Sequence, residues 1–325
     1  MAVDVLSDLL RTVRLTGAVF FDVAGKEPWV AEQPSRDVIL PKILPGAEHL
    51  IAYHLVVEGR CYARIVGEGP IALETGEIIV FTHGDPHVMS SAPDMRATGE
   101  PAPLGSLPPD QMPYFASYGG EGAQSVRLVC GYLACDARPF NPLLDSLPKV
   151  IKVGAPVSRD AGWVGQIIHV AAMESAHKRP GGETVLAKLS ELMFVEVVRQ
   201  YLATLPAEQG GWLAGLRDPF IGKALSLMHG SPAHGWTIEE LAREVGQSRS
   251  VLAERFTAIV GTPPLHYLAQ WRMQLASEML SRGDANMAAV AAAAGYVAEA
   301  AFSRAFKKIM GVPPSVWRQR NQSGV

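Results

Sequence analysis

Two histidines and a cysteine have the residue types and spacing that suit metal chemistry. His83 and His87 stand four residues apart, and Cys130 stands on a later predicted strand. Imidazole and thiolate groups are preferred ligands of Zn²⁺, so we predict a site for zinc or another divalent metal at His83, His87 and Cys130. The alternative is that both histidines cap a turn and that Cys130 is a small buried hydrophobic residue. His54 is expected to be a core histidine.

The same three side chains also suit a redox signal. A thiol next to two imidazoles is expected to have a lowered pKa and to react with oxidants. The sequence contains no nucleophile elbow, no phosphate-binding glycine loop and no paired carboxylates that would indicate small-molecule catalysis. We therefore predict that the protein is not an enzyme.

These candidates require a β-rich domain to position them. Segments such as GAVFFDV, HLIAYHLVVEG and SVRLVCGYLAC are short, rich in β-forming residues and separated by Gly, Pro and Asp. Closely spaced strands of this kind predict a small antiparallel barrel or sandwich. A short helix over Asp4–Leu15 precedes them. The segment Ala92–Ala123 has several Pro and Gly residues and no periodicity, so we expect a loop that is either a lid or an insertion without a role.

Helical periodicity follows the β-rich segments. TVLAKLSELMFVEVVRQYLATL places one broad apolar face on a helix, and VGQIIHVAAMESAHK predicts a shorter partner helix before Pro180. The predicted face consists of Leu186, Leu189, Leu192, Met193, Val197 and Tyr201, with Phe194 adding to it. We expect so wide a face to pack against the barrel, the partner helix and the same helix of a second subunit. A wholly intramolecular bundle would also satisfy the pattern.

The last third of the chain contains a duplicated unit. MAAVAAAAGYVAEAAFSRAFKKIMGVPPSVW reads as a helix, a turn, a second helix and a Gly-x-Pro-Pro stop, which is a helix-turn-helix. Fifty residues earlier, IEELAREVGQSRSVLAERFTAIVGTPPLHY repeats the pattern, with Phe256 for Phe306 and Gly261 for Gly311. Both turns and the apolar positions match, so we infer an internal repeat.

A further helix is predicted between the two copies. From Pro264 to Ser281 the apolar residues recur at helical spacing, with Pro at the first turn and Gly283 just past the end. At ~1.5 Å per residue this segment makes a rod of roughly 27 Å. With the turns added, two recognition helices would lie about 34 Å apart, which is one turn of B-DNA. One chain would then place two helices in successive major grooves.

The segment from about Arg217 to Arg320 resembles the DNA-binding domain of the AraC/XylS family of transcriptional regulators. GYVAEAAFSRAFKKIMGVPPSVWR stands where the family has its most characteristic signature, SRSVLAERF resembles its first recognition helix, and WRMQLASEML resembles its linker helix. The sequence departs at Ala298, where the family usually has a helix-capping Ser or Asp, and at Trp317, where it usually has Tyr. The missing cap is expected to cost the second recognition helix ~1 kcal/mol.

The resemblance implies which side chains face DNA. In the first recognition helix these are Ser250, Ala253 and Glu254, with Arg249 beside them and Ser248 as the cap. In the second they are Glu299, Ala300, Ser303 and Arg304. Arg304 is the strongest candidate, because Arg reads guanine bidentately. The flanking residues expected to contact phosphates are Lys307, Lys308 and Arg272. The residues expected in the core are Leu241, Leu252, Phe256, Phe302 and Phe306.

The segment from about Leu6 to Pro148 resembles the cupin-like domain found in one branch of the same family. The resemblance rests on GAVFF, on HGDPH, on CGY followed by NPLLDSLP, and on a second cupin motif in which Thr82 replaces the common Pro. The first-motif region lacks the His-x-His pair, so the metal-oxygenase site of ordinary cupins is incomplete, and His87 stands where the second-motif His belongs. The resemblance predicts a transcriptional regulator whose barrel senses a small molecule, a metal or a redox signal. The alternative is a cupin-type metalloenzyme fused to a DNA-binding domain.

Composition bounds the domain organisation. A chain of 325 residues with 48% apolar residues is large enough for several domains. We predict a multidomain α+β fold with a cupin-like sensing domain at 1–150, a helical linker and dimerisation segment at 151–216, and a double helix-turn-helix at 217–321. From Trp212 onward, twelve Lys and Arg residues accompany eight Asp and Glu residues, a net charge of +4, while the remainder carries −7. A basic end on an acidic body suits a domain that meets phosphates, although such a split also arises by chance.

The expected surroundings of the protein follow from the same composition. No apolar run approaches the length of a membrane span, and three cysteines are too few and too uneven for a disulfide scaffold. We therefore expect a cytoplasmic protein that does not enter a membrane. The expected partners are double-stranded DNA, RNA polymerase, an unidentified effector and a second copy of the chain.

Overall fold

The structure is a computed structural model. It describes residues 4–12, 15–43, 47–97, 112–135, 140–154, 163–177, 179–206, 210–283 and 285–322. The chain forms two compact units. The first, called the barrel unit below, contains the described residues of 15–135 and 147–204. The second, called the helical unit, contains those of 1–14, 136–146 and 205–325. The domain limits predicted at 150 and 216 stay predictions.

The barrel unit is built on a curled β-sheet. Its strands are β1 (Thr16–Lys26), β2 (Val30–Gln33), β3 (His49–Ile65), β4 (Ile71–Glu74), β5 (Ile78–Phe81), β6 (His87–Ser90), β7 (Tyr114–Gly119), β8 (Gln124–Cys135) and β9 (Val150–Val153). The order is β2-β6-β3-β8-β1-β7, with β4 and β5 also paired to β3 and β9 paired to β5. Among the described strands, β1 and β7 pair in parallel and the other pairs are antiparallel. The predicted cupin-like β domain is confirmed, as a half-barrel.

Strand β3 is long enough to serve both halves of the sheet. Its first part pairs with β8 and β5, and its last part pairs with β4 and β6. A register shift between Val56 and Glu58 separates the two parts. Gly59 follows with a φ of 84°, and a Cβ at this position would lie 1.9 Å from the carbonyl oxygen of Ser125. Glycine is therefore required for β8 to approach the bend.

Helices cover the outside of the half-barrel. The first eight residues of β3, from His49 to Val56, are all buried, and because strand side chains alternate between faces, both faces of this stretch are covered. Helix α5 (Gly182–Thr204) packs on β1 and β8, and α4 (Trp163–His177) packs beside it. Tyr53 Oη lies 2.6 Å from Ser190 Oγ, which joins β3 to α5.

The predicted apolar face of α5 is confirmed in part. Its buried residues are Gly182, Leu186, Ser190, Met193, Phe194, Val197 and Val198. Leu192 is 44% exposed on the single chain, and its predicted packing against a second subunit stays a prediction. The helix turns this side chain away from the sheet because the buried stripe runs through Ser190 and Val198 instead. Val185 on α5 and Val170 and Met173 on α4 are exposed as well.

Part of the predicted loop Ala92–Ala123 is a strand. Strand β7 alternates between partly buried and exposed residues and pairs with β1 at the end of the sheet order. The remaining central part of the predicted loop, residues 98–111, lies outside the described ranges. This edge strand is short and lies between Pro and Gly residues, and its sequence has too little alternation of apolar and polar residues to be recognised.

The helical unit contains the two predicted helix-turn-helix copies. Its helices are α1 (Val5–Thr12), α3 (Pro142–Ser146), α6 (Trp212–Arg217), α7 (Pro219–Gly230), α8 (Ile238–Val245), α9 (Arg249–Val260), α10 (Pro264–Arg282), α11 (Met287–Ala293), α12 (Glu299–Met310) and α13 (Pro314–Gln322), while α2 (Arg36–Ile43) lies in the barrel unit. The first copy is α8 with α9 and the second is α11 with α12. The predicted linker helix is α10. Gly261 and Gly311 end the second helix of each copy in the left-handed conformation.

A buried polar network secures α1 within the helical unit. Asp8 Oδ2 lies 2.9 Å from His229 Nδ1, and His229 Nε2 lies 2.8 Å from Tyr267 Oη. The Tyr267 oxygen also accepts a hydrogen bond of 2.7 Å from Trp212 Nε1. Burial lowers the pKa of His229, although Asp8 opposes this shift. The helix at the start of the chain was predicted, but its packing on α7 and α10 was not.

Within the described ranges, no helix is both long and apolar enough to cross a membrane.

Candidate DNA-binding surface and barrel cavity

The first recognition helix, α9, separates its core side from a polar surface. Leu252 and Phe256 are fully buried, as expected, and Ser248 caps the helix by accepting a hydrogen bond from the Val251 N–H. Ser250 and Glu254 are exposed and Ala253 is partly buried. Arg249 Nη1 lies 2.8 Å from Glu239 Oε1, so the positive charge beside this surface already has a partner.

The second recognition helix, α12, carries more free positive charge. Phe302 and Phe306 are fully buried, as expected. The predicted contact residues Glu299, Ala300, Arg304, Lys307 and Lys308 are exposed, and Ser303 is partly buried. Among the described residues, Arg304, Lys307 and Lys308 form no ion pair. The helix begins at Ala298 without a side-chain cap. The structure therefore lacks the capping hydrogen bond at the position where the sequence departs from the family pattern.

Arg272 occupies a different position from that of an exposed phosphate ligand. Its guanidinium donates hydrogen bonds of 2.7 Å to the carbonyl oxygens of Pro232 and His234, in the loop before α8. It also lies against the turn of the second copy, because a Cβ on Gly295 would come within 3.0 Å of it. Burial lowers the pKa of Arg272. This side chain of α10 therefore connects the entry of the first copy with the turn of the second.

The barrel unit encloses a cavity of about 300 Å³. Its walls are mainly apolar and aromatic. The lining residues are Phe21, Val23, Trp29, Val30, Ala31, Glu32, Gln33, Pro34, His54, His87, Met89, Ala97, Ala116, Tyr118, Leu128, Cys130 and Tyr132. The predicted site residues His87 and Cys130 belong to this cavity, and the inner faces of β1, β2, β3, β6, β7 and β8 supply most of the others.

Four groups form a hydrogen-bonded chain at the cavity wall. Cys130 Sγ lies 2.9 Å from His54 Nδ1, and His54 Nε2 lies 2.8 Å from His87 Nε2. His87 Nδ1 lies 2.9 Å from the carbonyl oxygen of Asp85. His54 and Cys130 are directly opposite in the β3–β8 register. The sheet therefore creates the contact between the thiol and the first imidazole.

The carbonyl at the end of this chain fixes the proton positions. Burial lowers the pKa of His87 to about 4, although the Asp85 carbonyl opposes the shift, and burial followed by the proximity of His87 lowers the pKa of His54 well below its usual value. Both rings are thus neutral near pH 7. A carbonyl only accepts, so His87 Nδ1–H donates to Asp85, His54 Nε2–H donates to His87, and the Cys130 thiol donates to His54. Each ring nitrogen is occupied.

This arrangement changes the expectations for metal and redox chemistry. His83 does not join the cluster, since its Nε2 lies 3.1 Å from the carbonyl oxygen of Leu147. Among the described residues, no group of three or more His, Cys, Asp or Glu side chains is placed to hold a metal ion. The expectation of a lowered thiol pKa is wrong, because burial raises the pKa of Cys130 well above its usual value. A neutral thiol is a poor metal ligand and a slow nucleophile.

Strand β2 supplies the polar groups of the opposite wall. Glu32 accepts hydrogen bonds from Arg96 Nε at 2.6 Å and from the Ala97 N–H at 2.8 Å, and the Arg96 hydrogen bond lowers the pKa of this carboxyl group. Gln33 Oε1 accepts a hydrogen bond of 2.9 Å from Tyr132 Oη. Gln33 Nε2 is buried and has no partner. Trp29 Nε1 is also buried without a partner, but it lies against Gly25, where a Cβ would come within 2.6 Å of it.

Sequence reasoning missed several of these residues. His54 was expected in the core, and it is buried, yet it also lines the cavity and joins Cys130 to His87. Glu32 and Gln33 lie on a four-residue strand whose residues are all partly buried. No alternation of buried and exposed residues therefore indicated which side chains face the cavity. The signal that could have paired His54 with Cys130 is the register between β3 and β8, which places these two residues opposite each other.

Two family models match this chain. A cupin model covers residues 4–203, and a helix-turn-helix domain model covers residues 241–320. The first spans more than half of the chain.

Curated relatives give the same assignment, and a solved structure was also compared. An AraC-like transcription regulator of Streptomyces lividans is 35% identical over 283 residues, which cover 84% of this chain and 88% of that protein. The HTH-type transcriptional regulator AlkR of Acinetobacter baylyi is 25% identical over 319 residues, covering 98% of this chain and all of that protein. The crystal structure of ToxT from Vibrio cholerae matches 97% of this chain and 100% of its own, at 10% identity and a TM-score of 0.35, a similarity too low to carry an argument.

Proposed function

The chain belongs to the AraC-like transcription regulators and is a DNA-binding transcription regulator with a cupin domain, and from this premise we propose that the barrel cavity is its effector site. The observation that carries the proposal is the cavity of about 300 Å³ inside the half-barrel. Mainly apolar walls with a few placed polar groups are typical of small-molecule sites. A bound effector that prefers one arrangement of the protein shifts the population toward it.

For contact with DNA we propose the predicted residues on the two recognition helices. Ser250, Glu254, Glu299, Ser303 and Arg304 read bases, with Arg249 beside them. Lys307 and Lys308 contact phosphates. The support for this proposal is that α9 and α12 bury their Phe residues and expose all of these positions except Ser303, which is partly buried. For Arg272 the two carbonyl contacts favour a positioning role over a phosphate contact.

We further propose that the protein acts as a homodimer through α4 and α5. The exposed apolar side chains Val170, Met173, Val185 and Leu192 on these helices support this proposal. We propose RNA polymerase as the partner at the promoter and the cytoplasm as the location. We also propose that the protein regulates transcription without turning over its effector. The curated relatives, whose names describe regulators, support the last point.

The test combines genome-wide mapping of bound DNA with a reporter at a bound promoter. Compounds that change reporter output are then applied to an Ala116→Trp variant, in which the indole fills the cavity from β7. We expect this variant to bind the promoter fragment as wild type does and to lose the response. A matched Phe115→Trp variant, on the exposed side of the same strand, should keep the response. Retention of the full response by Ala116→Trp would place the effector site elsewhere.

A further inference from the structure

We propose that the cavity selects an uncharged, mainly apolar molecule that presents one hydrogen-bond acceptor to the side-chain amide of Gln33. This inference rests on the proposed effector site and names its ligand class. The cavity of about 300 Å³ is at the lower end of ligand pockets, roughly 300–1,000 Å³. A molecule with one ring and a short chain fits this size.

The walls disfavour a charged ligand. Among the described lining residues there is no Lys or Arg, and the carboxylate, Glu32, is already held by Arg96 and the Ala97 N–H. His54 and His87 are neutral and give both of their ring nitrogens to the Cys130–His54–His87–Asp85 chain. A carboxylate or an ammonium group entering the cavity would lose its hydration without gaining an opposite charge.

Two polar groups of the described lining residues are left without a partner, Gln33 Nε2 and Trp29 Nε1. Gln33 Nε2 is buried and unpaired, while Oε1 of the same amide accepts from Tyr132 Oη. Reversing the amide would leave the phenol hydrogen without an acceptor and Oε1 without a donor, so the orientation in which Tyr132 donates to Oε1 is favoured. In this orientation the group of the Gln33–Tyr132 pair that lacks an acceptor is Gln33 Nε2. A buried donor without a partner is unfavourable, so a carbonyl or ether oxygen of the ligand completes the pair.

The other buried polar groups do not compete for this role. The three proton donations of the Cys130–His54–His87–Asp85 chain are used internally. Trp29 Nε1 lies against the backbone at Gly25. The apolar part of the ligand would contact Phe21, Met89 and Leu128, while its acceptor meets β2.

The test uses three probes of matched length. Butylbenzene has no acceptor, 4-phenylbutan-2-one has a carbonyl acceptor, and 3-phenylpropanoate is an anion at pH 7. Binding to the full-length protein is measured by titration calorimetry. We expect the ketone to bind at least tenfold more tightly than either the hydrocarbon or the carboxylate. Ala116→Trp should abolish binding of the ketone, which locates the probe in the cavity.

Variants of Gln33 separate the hydrogen bond from general packing. Gln33→Leu should weaken the ketone to the level of butylbenzene and leave the affinity for butylbenzene within about twofold. Gln33→Glu, which keeps the shape and removes the amide donor, should weaken the ketone as well. The matched control is Gln124→Leu, at an exposed position of β8, which should change neither affinity.

The outcomes distinguish this inference from the proposed effector site. Equal binding of ketone and hydrocarbon, with no effect of Gln33→Leu, would overturn the ligand class and leave the cavity as a binding site. Tightest binding of 3-phenylpropanoate would overturn it in favour of an anion. Absence of saturable binding by all three probes would also overturn it. The effector site itself is tested separately, by the reporter response of the Ala116→Trp variant.

Discussion

The two helix-turn-helix copies share a core and differ at the surface. Both bury a Phe at the same place, Phe256 in α9 and Phe306 in α12, and both end at a left-handed Gly before a Pro pair. At the surface, α9 is capped and has its Arg249 paired with Glu239, whereas α12 is uncapped and carries free cations. The two copies therefore share the residues that specify the fold and differ in the surface residues that we propose to contact DNA.

The copies also differ in what supports them. The first copy packs with α6 and α7, and α7 in turn contacts α1. The second packs on α10 and α13, around an Ala-rich core that includes Ala291 and Ala294. Arg272 is the side chain that joins the two, since it bonds the loop before α8 and lies on the turn at Gly295. The Arg272 guanidinium is thus one contact, besides the packing of α10, that connects the two copies.

The largest expected effect comes from removing this connection. Arg272→Ala leaves the Pro232 and His234 carbonyls without their charged donor, and hydrogen bonds to charged groups contribute about 1.5–3 kcal/mol each. We expect the free energy of unfolding of the helical unit to fall by about 2–3 kcal/mol in denaturant titrations, with weaker DNA binding. Arg272→Lys should be nearly as harmful, because a compact ammonium cannot reach both carbonyls. A Lys variant that keeps stability and DNA affinity would indicate a phosphate contact instead.

The next effect concerns base reading by the two copies. Arg304→Ala should weaken binding to an operator selected from random duplexes by about 1–3 kcal/mol and relax the preference at one base pair. Arg249→Ala should cost less, because Glu239 already neutralises much of its charge. Fluorescence anisotropy on the selected operator and on single-base variants measures both. A larger loss for Arg249→Ala than for Arg304→Ala would reverse the assigned roles of the copies.

A smaller effect is expected for the lysines at the end of α12. Replacing Lys307 or Lys308 by Ala should weaken binding similarly on all sequences and lower the slope of log K against log salt by about one unit. Lys223→Ala is the matched control, because this lysine of α7 donates a hydrogen bond to the Glu244 carbonyl of α8 and is not expected to contact DNA. Unchanged slopes for both α12 variants would show that these lysines only face solvent.

The sequence predicted the helical copies better than the barrel cavity, for a physical reason. Helix contacts repeat every three to four residues, so Leu252, Phe256, Phe302 and Phe306 could be assigned locally, and Gly and Pro marked the ends. Cavity residues meet through strand register, which brings His54 to Cys130 across 76 positions. A period of two identifies the faces of a strand but not its partner.

The sequence did not predict the long-range polar contacts of the helical unit either. Arg272 stands on a well-predicted helix, yet its two acceptors lie 40 and 38 residues earlier in the chain. The helix at Asp8 was predicted as well, and its partner His229 lies 221 residues away. In both cases the local pattern defined the element, and the folded packing selected the partner of its charged side chain.

The smallest expected effect tests the difference in capping directly. Ala298→Ser adds an oxygen that can accept a hydrogen bond from the first turn of α12, as Ser248 does in α9 by accepting from the Val251 N–H. Such a cap contributes about 0.5–2 kcal/mol, so Ala298→Ser should slow hydrogen exchange in α12 and raise the free energy of unfolding. Ser248→Ala is the mirror control and should lower it by a similar amount. Because the core residues of the two copies match, opposite changes of similar size would attribute the difference to the cap. If Ala298→Ser leaves both measurements unchanged, the first turn of α12 is not limited by its missing cap, and the free N–H groups must be well hydrated in the unbound protein.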